Sequence, residues 1–482
     1  MSCGLVRRNK KDIGREQGVG IISLANLRKT AYYLKRNGVL ETWYAARERI
    51  VTRSRDGYQA PDETTLAGQR KQAAEWLAQG ASDGTEPPAF SIVVPAYRTP
   101  AQYLRALVLS VCAQSYPAWE LLLADATEDD SVAKQVEALR GELPAYAAQI
   151  RIIRLERNGG ISANTNAALA QTRMPYVGLL DHDDLLTPDA LYEMAALILR
   201  KREKGIEPLL LYSDEDKCDG GALHFYEQHR KEHFNYDLLL SNNYICHFLV
   251  MERALICRLG LRPAYDGAQD YDLVLRAVRD MGIPASPKEE RLIGHIPKVL
   301  YHWRCHTAST AENPRSKEYA YEAGLRALQD HLDACGIRGT AYPLKHVGFY
   351  GVRYPDGALA DRTDLGAVGG PVIARGRIVG GRMKASGKRF YENIPVHFSG
   401  YMHRAVLMQD AEVVDIRNIR VQRELWNTFE ETVGVPYRCL AEELTFDAAT
   451  LPEGSDITAL SIRFCNAIRK RGYRILWRRE RE

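Results

Sequence analysis

Between residues 90 and 202, short apolar runs alternate with amphipathic stretches. FSIVVPAY is a β-branched run stopped at Pro95; WELLLAD, QIRIIRLE and YVGLLD are three more. Helical patterns separate them, at Ala101 to Ala113, 131–140, 161–172 and 188–202. Strands alternating with such helices predict parallel βαβ units with helices on both faces. Ligands in such sheets sit beyond the carboxyl ends of the strands. Four polar clusters therefore face one crevice: Pro95, Ala96 and Tyr97; Asp125; Arg157, Asn158, Gly159 and Gly160; and Asp181 to Asp184. Upstream, Leu24, Leu27, Tyr32 and Leu34 keep helical spacing up to a break at Asn37-Gly38. Two short helices are expected there, a third at 62–79, and a linker from Gly80 to Pro88.

Length and composition add bounds. A chain of 482 residues divides naturally into two or three units, and 45% hydrophobic with 26% charged residues suits packed cores. No apolar run approaches the ~18 residues that cross a bilayer. The opening MSCGLVRRNKKDIG is basic with no apolar stretch behind it, so no secretory signal is expected. Nine scattered cysteines without a CxxC point to reduced thiols in a cytoplasm and away from a disulfide scaffold or a cysteine zinc site. Residues 1–60 carry thirteen Lys/Arg against five acids, and the last twenty eight against two, around a net acidic middle. Basic ends suit either solvated helix faces or an anionic membrane surface. With no zinc-finger spacing or aromatic RNP motif, nucleic acid is excluded as a partner.

The crevice has neither a GxGxxG turn nor a GxxxxGK[ST] loop. DHDD ends an apolar strand with three carboxylates, of which Asp181 and Asp183 share one side of an extended segment. They either cap the following helix or hold Mg²⁺ or Mn²⁺, whose oxygen preference suits carboxylate on one side and diphosphate on the other. YHWRCHTAST places His302, Arg304 and His306 after another strand-like run, offering imidazole for metal and guanidinium for diphosphate. Asp214 and Asp216 in YSDEDK either order an acceptor, support the site, or form a solvated turn. Asp270 and Asp272 precede LVLRAVRDMG, where a helix dipole favours anions.

SIVVPAY, ELLLAD, RNGGISANTNAAL, GLLDHDD, YSDEDK, GAQDYDLVLR and IPKVLYHWR, in this order, resemble the inverting family 2 glycosyltransferases of the GT-A fold. The likeness is to the bacterial branch that builds rhamnan-type and O-antigen-like surface polysaccharides, and it covers about residues 88–345. It implies an α/β, Rossmann-like mixed sheet with helices on both faces. Around this come a helical segment at 1–87 and a smaller α+β remnant at 346–482. It further implies that Pro95, Ala96, Tyr97 and Asp125 meet the base, and that Arg157, Asn158, Gly160 and Asn166 lie beside base and ribose. Asp181 and Asp183 correspond to the DXD pair at ribose and metal-diphosphate, Arg304 to a diphosphate contact, and His306 to a metal ligand. Asp270 corresponds to the catalytic base with Asp272 in support, while Asp214, Asp216 and His302 stay acceptor or support candidates. Two departures stand out: Ala126 replaces the usual second acid after Asp125, and Gln269 replaces a common Glu, as in the polysaccharide branch.

The activity so implied is metal-dependent, inverting transfer from a UDP- or dTDP-sugar to a polysaccharide or lipid-linked glycan acceptor. It would take place in the cytoplasm or at the inner membrane face. A non-catalytic sugar-nucleotide-binding or scaffold protein is the alternative. At the C-terminus, RELWNTFEETVG is similar to ERALICRLG, and LSIRFCNAIRKRGY aligns with DYDLVLRAVRDMGI, which puts Leu460 on Asp270 and Ile462 on Asp272. This is either a decayed tandem copy without a base or a chance likeness.

Overall fold

The computed structural model describes residues 24–51, 57–306, 318–439 and 445–479. The expected break in the helical start is present: α1 (Leu24–Val51) consists of two helical stretches joined across a kink at Gly38, where φ is 81° and ψ 175°. After it comes α2 (Glu63–Asp83). Asp62 accepts from the Thr65 N–H at its start, and left-handed Gly84 closes it, so the helix runs through Gly80 into the expected linker.

The alternation then unfolds as the apolar pattern predicts: β1 (Phe90–Ala96), α3 (Ala101–Cys112), β2 (Trp119–Asp125), α4 (Ser131–Glu142), β3 (Ile150–Arg154), α5 (Ile161–Leu169) and β4 (Tyr176–Leu179). Further on lie β5 (Leu185–Leu186), α6 (Ala190–Arg202), β6 (Leu210–Cys218), β7 (Phe225–His229), α7 (Tyr236–Leu239), β8 (Leu249–Glu252), α8 (Arg253–Leu259), α9 (Gln269–Asp280), β9 (Ile293–Arg304) and α10 (Glu318–Ala334). Among the described residues these nine strands form one sheet, in the order β3-β2-β1-β4-β8-β6-β9-β5, with β7 on β6. Pairing is parallel across β3-β2-β1-β4. It turns antiparallel at β8, which joins β4 and β6, so the sheet is mixed. Each face has its own core. Ile92, Val94, Leu121 and Leu123 point into one, and Val93, Leu122 and Val177 into the other, by the two-residue alternation of a strand.

A smaller sheet lies in the C-terminal part. The strand Leu365–Gly369 pairs antiparallel with Ile419–Val421 and parallel with Arg474–Trp477, which also pairs antiparallel with Gln409–Asp410. The helices Trp426–Val433 and Ile457–Lys470 intervene between the second and third of these strands. In the main sheet β6 is likewise antiparallel to β8 and parallel to β9, with α8 and α9 between those two. Strand, helix, helix, strand recur with the same pairings. The fourth strand is the exception, because β5 precedes β6 in the chain whereas Gln409–Asp410 follows Leu365–Gly369.

Candidate active site

The carboxyl ends of the strands gather most of the expected residues, each for a local reason. At the end of β2, Asp125 is fully buried; its Oδ1 accepts from the Thr127 N–H at 2.9 Å and its Oδ2 pairs with Arg154. Pro95 and Ala96 end β1, and the next residue, Tyr97, donates its hydroxyl to Glu128 at 2.8 Å. After β3, Arg157 and Asn158 are exposed. The Asn158 Oδ1 accepts from the Gly160 N–H (3.1 Å) and from Asn164 (2.9 Å), which folds the RNGG loop tightly. Gly160 adopts φ 91°, and a Cβ there would stand 2.4 Å from the Asp266 carboxylate, so a side chain fits neither conformation nor space. Asn166, expected beside the ribose, instead exchanges two hydrogen bonds with the Leu261 backbone (2.7 and 2.8 Å) and ties α5 to the loop after α8.

The DHDD segment divides its acids. Asp184 is buried, accepting from the Arg304 N–H at 2.7 Å and from the Tyr301 hydroxyl. Burial first, then Asp183 and Asp181, raise its carboxyl well above the usual carboxylate range. It braces the loop from behind. Asp183 and His306 meet in front, Oδ2 to Nε2 at 2.9 Å, each about one-fifth exposed. Asp181 lines a neighbouring cavity of about 450 Å³, together with Asp270, Asn243, His247, Tyr301 and Trp303.

Asp270 lies in the first turn of α9, and its Oδ2 accepts from the Asn243 amide at 2.8 Å. Its carboxyl is raised by burial, an effect that the positive His247 offsets in part. Asp272 does not join it. Two residues on a helix turn the side chain by about 200°. It is buried away from the cavity, between Arg262 (Nε 3.1 Å) and Arg276 (Nη2 2.8 Å), as a structural ion pair.

Four further expectations are corrected by burial inside strands. Asp214 and Asp216 are not at a strand end or in a solvated turn; they sit within β6. Asp214 holds the Lys231 N–H (2.9 Å) and His295 (2.8 Å). Asp216 holds His302 at 2.5 Å, and that ring packs on Tyr58 and Phe225. His302 and Arg304 alternate along β9 with Tyr301 and Trp303, so the latter pair faces the cavity. Arg304 is 2% exposed, lies over the Tyr103 ring, and donates to the backbone carbonyls of Asp183 and Gly220. It shapes the DHDD loop.

The sequence reading missed His247, just before β8. Its Nδ1 lies 3.2 Å from the Glu215 carboxylate. Glu215 also meets Lys231 (3.0 Å) and His229 (3.3 Å). Although burial opposes the charge, Lys231, His247 and His229 hold Glu215 well below its ordinary range. Burial likewise opposes a charged His247, but Glu215, then Asp181 and Asp184, push it up to about 9. No motif spacing marks it. The one available signal is a lone ionisable ring in the apolar stretch YICHFLV.

Among the described residues no three of His, Cys, Asp or Glu gather as a ready metal cage. The Asp183–His306 pair nonetheless suits Mg²⁺ or Mn²⁺ chemically. It offers one carboxylate oxygen and one imidazole at a partly open edge, and leaves the remaining positions to diphosphate oxygens and water. All described cysteines are free.

Comparison with known proteins finds a match between residues 91–259 and the model described as Glycosyl transferase family 2. An uncharacterized protein, y4gI, of Sinorhizobium fredii is 39% identical over 271 residues, or 55% of this chain and 27% of that protein. The O-antigen biosynthesis protein RfbC of Myxococcus xanthus is 34% identical over 269 residues, or 56% of this chain and 20% of that protein. The chain thus spans about a quarter or less of these relatives. Among solved structures, S. aureus TarS 1-349 in complex with UDP-GlcNAc aligns at TM-score 0.37 and 19% identity, over 51% of this chain and 66% of that one.

Proposed function

We propose that the chain, whose residues 91–259 match the glycosyl transferase family 2 model, transfers a sugar, with inversion, from a nucleotide-diphosphate donor to a polysaccharide or lipid-linked glycan acceptor. The observation that carries this reading is the pairing of Asp181 and Asp270 on the walls of one cavity, with Asp183–His306 two residues from Asp181 and three from Trp303. Asp181, Asp183 and His306 hold the donor's diphosphate end. Mn²⁺ or Mg²⁺ bound there supplies positive charge to the departing diphosphate. The Asp270 carboxylate takes the proton of the acceptor hydroxyl as that oxygen bonds to the anomeric carbon, while the bond to the diphosphate oxygen breaks. Asn243 fixes the carboxylate in place.

Residues 346–482 we read as a partial second copy of the acceptor half, supported by the recurring strand pairings. Leu460 and Ile462 of its helix put no carboxylate at the positions that align with Asp270 and Asp272.

A peripheral position at an anionic membrane is supported by α1. Leu34, Val39, Leu40 and Trp43 are exposed there beside Lys35, Arg36 and Arg47. Tyr33 and Tyr44, by contrast, stack on His346 and His397 and belong to the protein's own packing. Among the described residues no helix is long and apolar enough to cross a membrane.

Asp183→Asn tests the reading of the diphosphate end. Calorimetry should show Mn²⁺-dependent UDP affinity lost, and unchanged affinity overturns the metal assignment. Turnover measured across UDP-GlcNAc, GDP-mannose and dTDP-rhamnose separates a transferase from a non-catalytic binding protein.

A further inference from the structure

Of the described residues lining the cavity, His247 alone can carry positive charge, while Asp181, Asp266 and Asp270 are acidic. Of the two basic side chains that the sequence offered for a ligand, Arg304 is engaged with two backbone carbonyls, and exposed Arg157 does not line this cavity. His247 is held from three directions. Its Nδ1 edge and its backbone N–H both meet Glu215. Its ring stacks on Tyr301 (5.1 Å, 13°) and leans on Trp303 (5.4 Å). About a quarter of the side chain stays exposed, and with Nδ1 turned to Glu215 the free edge is the one bearing Nε2. Lys231 and His229 share the same Glu215 carboxylate.

Resting on the transferase reading, we propose that His247 is a specificity-determining residue that donates its Nε2–H to an oxygen of the transferred sugar. Position selects the sugar over the diphosphate. Of the three residues placed at the diphosphate end only Asp181 lines the cavity; Asp270 lines it too, and a base for the attacking hydroxyl must stand beside the anomeric carbon. The group between Asp181 and Asp270 is then the sugar, and His247 lines the same space. A fixed, charge-assisted donor discriminates among sugars by whether an acceptor oxygen lies within its reach.

Two variants test this. Asn at 247 can keep the contact with Glu215 but not reach the cavity; Gln can place an amide N–H near the Nε2 position. Both are compared with wild type by calorimetry with Mn²⁺, using UDP, GDP and dTDP alone and then UDP-GlcNAc, GDP-mannose and dTDP-rhamnose, with thermal unfolding as the folding control. His247→Asn should leave nucleoside diphosphate affinity unchanged and weaken the preferred nucleotide-sugar about tenfold or more, while His247→Gln recovers part of it. Equal losses for nucleotide and nucleotide-sugar would move the contact to the diphosphate and overturn the sugar assignment, as would a folded Asn variant with unchanged affinity for both. Failure of the wild type to bind any nucleotide-sugar would instead defeat the transferase reading on which the proposal rests.

Discussion

Asp270 and Asp272 stand two residues apart in one helical turn, yet their surroundings assign them opposite consequences on amidation. In Asp270→Asn the new side chain keeps an oxygen able to accept from Asn243, so the cavity wall and donor affinity should persist. What is lost is a proton acceptor. General-base removal costs about 10²- to 10⁴-fold in rate, or roughly 3–5 kcal/mol of barrier. Asp272→Asn removes the charge between Arg262 and Arg276. Breaking a buried pair costs about 3–5 kcal/mol. The value should fall toward the lower end, because Arg262 is 39% exposed and can rehydrate. Steady-state nucleotide release at saturating donor, donor affinity by calorimetry and urea unfolding together separate the two effects. For Asp270→Asn, kcat collapses with affinity and midpoint intact; for Asp272→Asn, the midpoint falls while kcat in the folded fraction stays within a few-fold. The pH profile adds a check of sign. A base must be deprotonated, and the Asp270 carboxyl is raised, so wild-type activity should fall on acidification above the pH expected of an ordinary aspartate. Turnover within threefold of wild type in Asp270→Asn, or catalytic collapse with unchanged stability in Asp272→Asn, would refute this division of roles.

Two buried histidines, His331 and His346, and the partly buried His403 make the fold acid-sensitive. Burial, reinforced by Arg279 for His331, by His403 for His346 and by Lys345 for His403, lowers them to about 3, 3 and 4. A lowered folded value means that stability is complete above the unfolded value of about 6.5 and drains as pH falls toward 3–4, by roughly 2 kcal/mol per histidine at pH 5. Urea midpoints from pH 7.5 to 5 should therefore fall steadily, and a flat series contradicts neutral burial. On α1, the double variant Leu40→Ser/Trp43→Ser should cut sedimentation with anionic vesicles at least tenfold, and binding to wild type should weaken as salt rises; binding unchanged by either would remove the helix from the contact.

How far the sequence disclosed this site depends on the element. Strands β1 to β4 are apolar runs broken by polar residues at their ends, so Asp125, Asp181 and Asp183 could be placed at one rim without knowledge of contacts. Nearness to a motif misled where geometry rotates the side chain. A helix sends Asp272 to the far side from Asp270, and strand alternation sends His302 to Asp216 while Tyr301 and Trp303 take the cavity. His247 was illegible for a third reason. Its meaning comes from Glu215, thirty-two residues earlier in β6, and no local spacing encodes that pairing. The C-terminal part extends the point. The likeness of LSIRFCNAIRKRGY to α9 is visible in the sequence, but the attachment of this part is not, because that depends on isolated charges distant in sequence. Buried Arg362 joins buried Asp237 at 2.9 Å, buried Arg474 reaches Glu290 and the Ile283 carbonyl, and Asn235 exchanges two 2.8 Å bonds with the Asp410 backbone. Unpaired, each such charge would cost several kcal/mol. The network therefore penalises any displaced arrangement of the second sheet, and it fixes that sheet against α7 and the loop before β9.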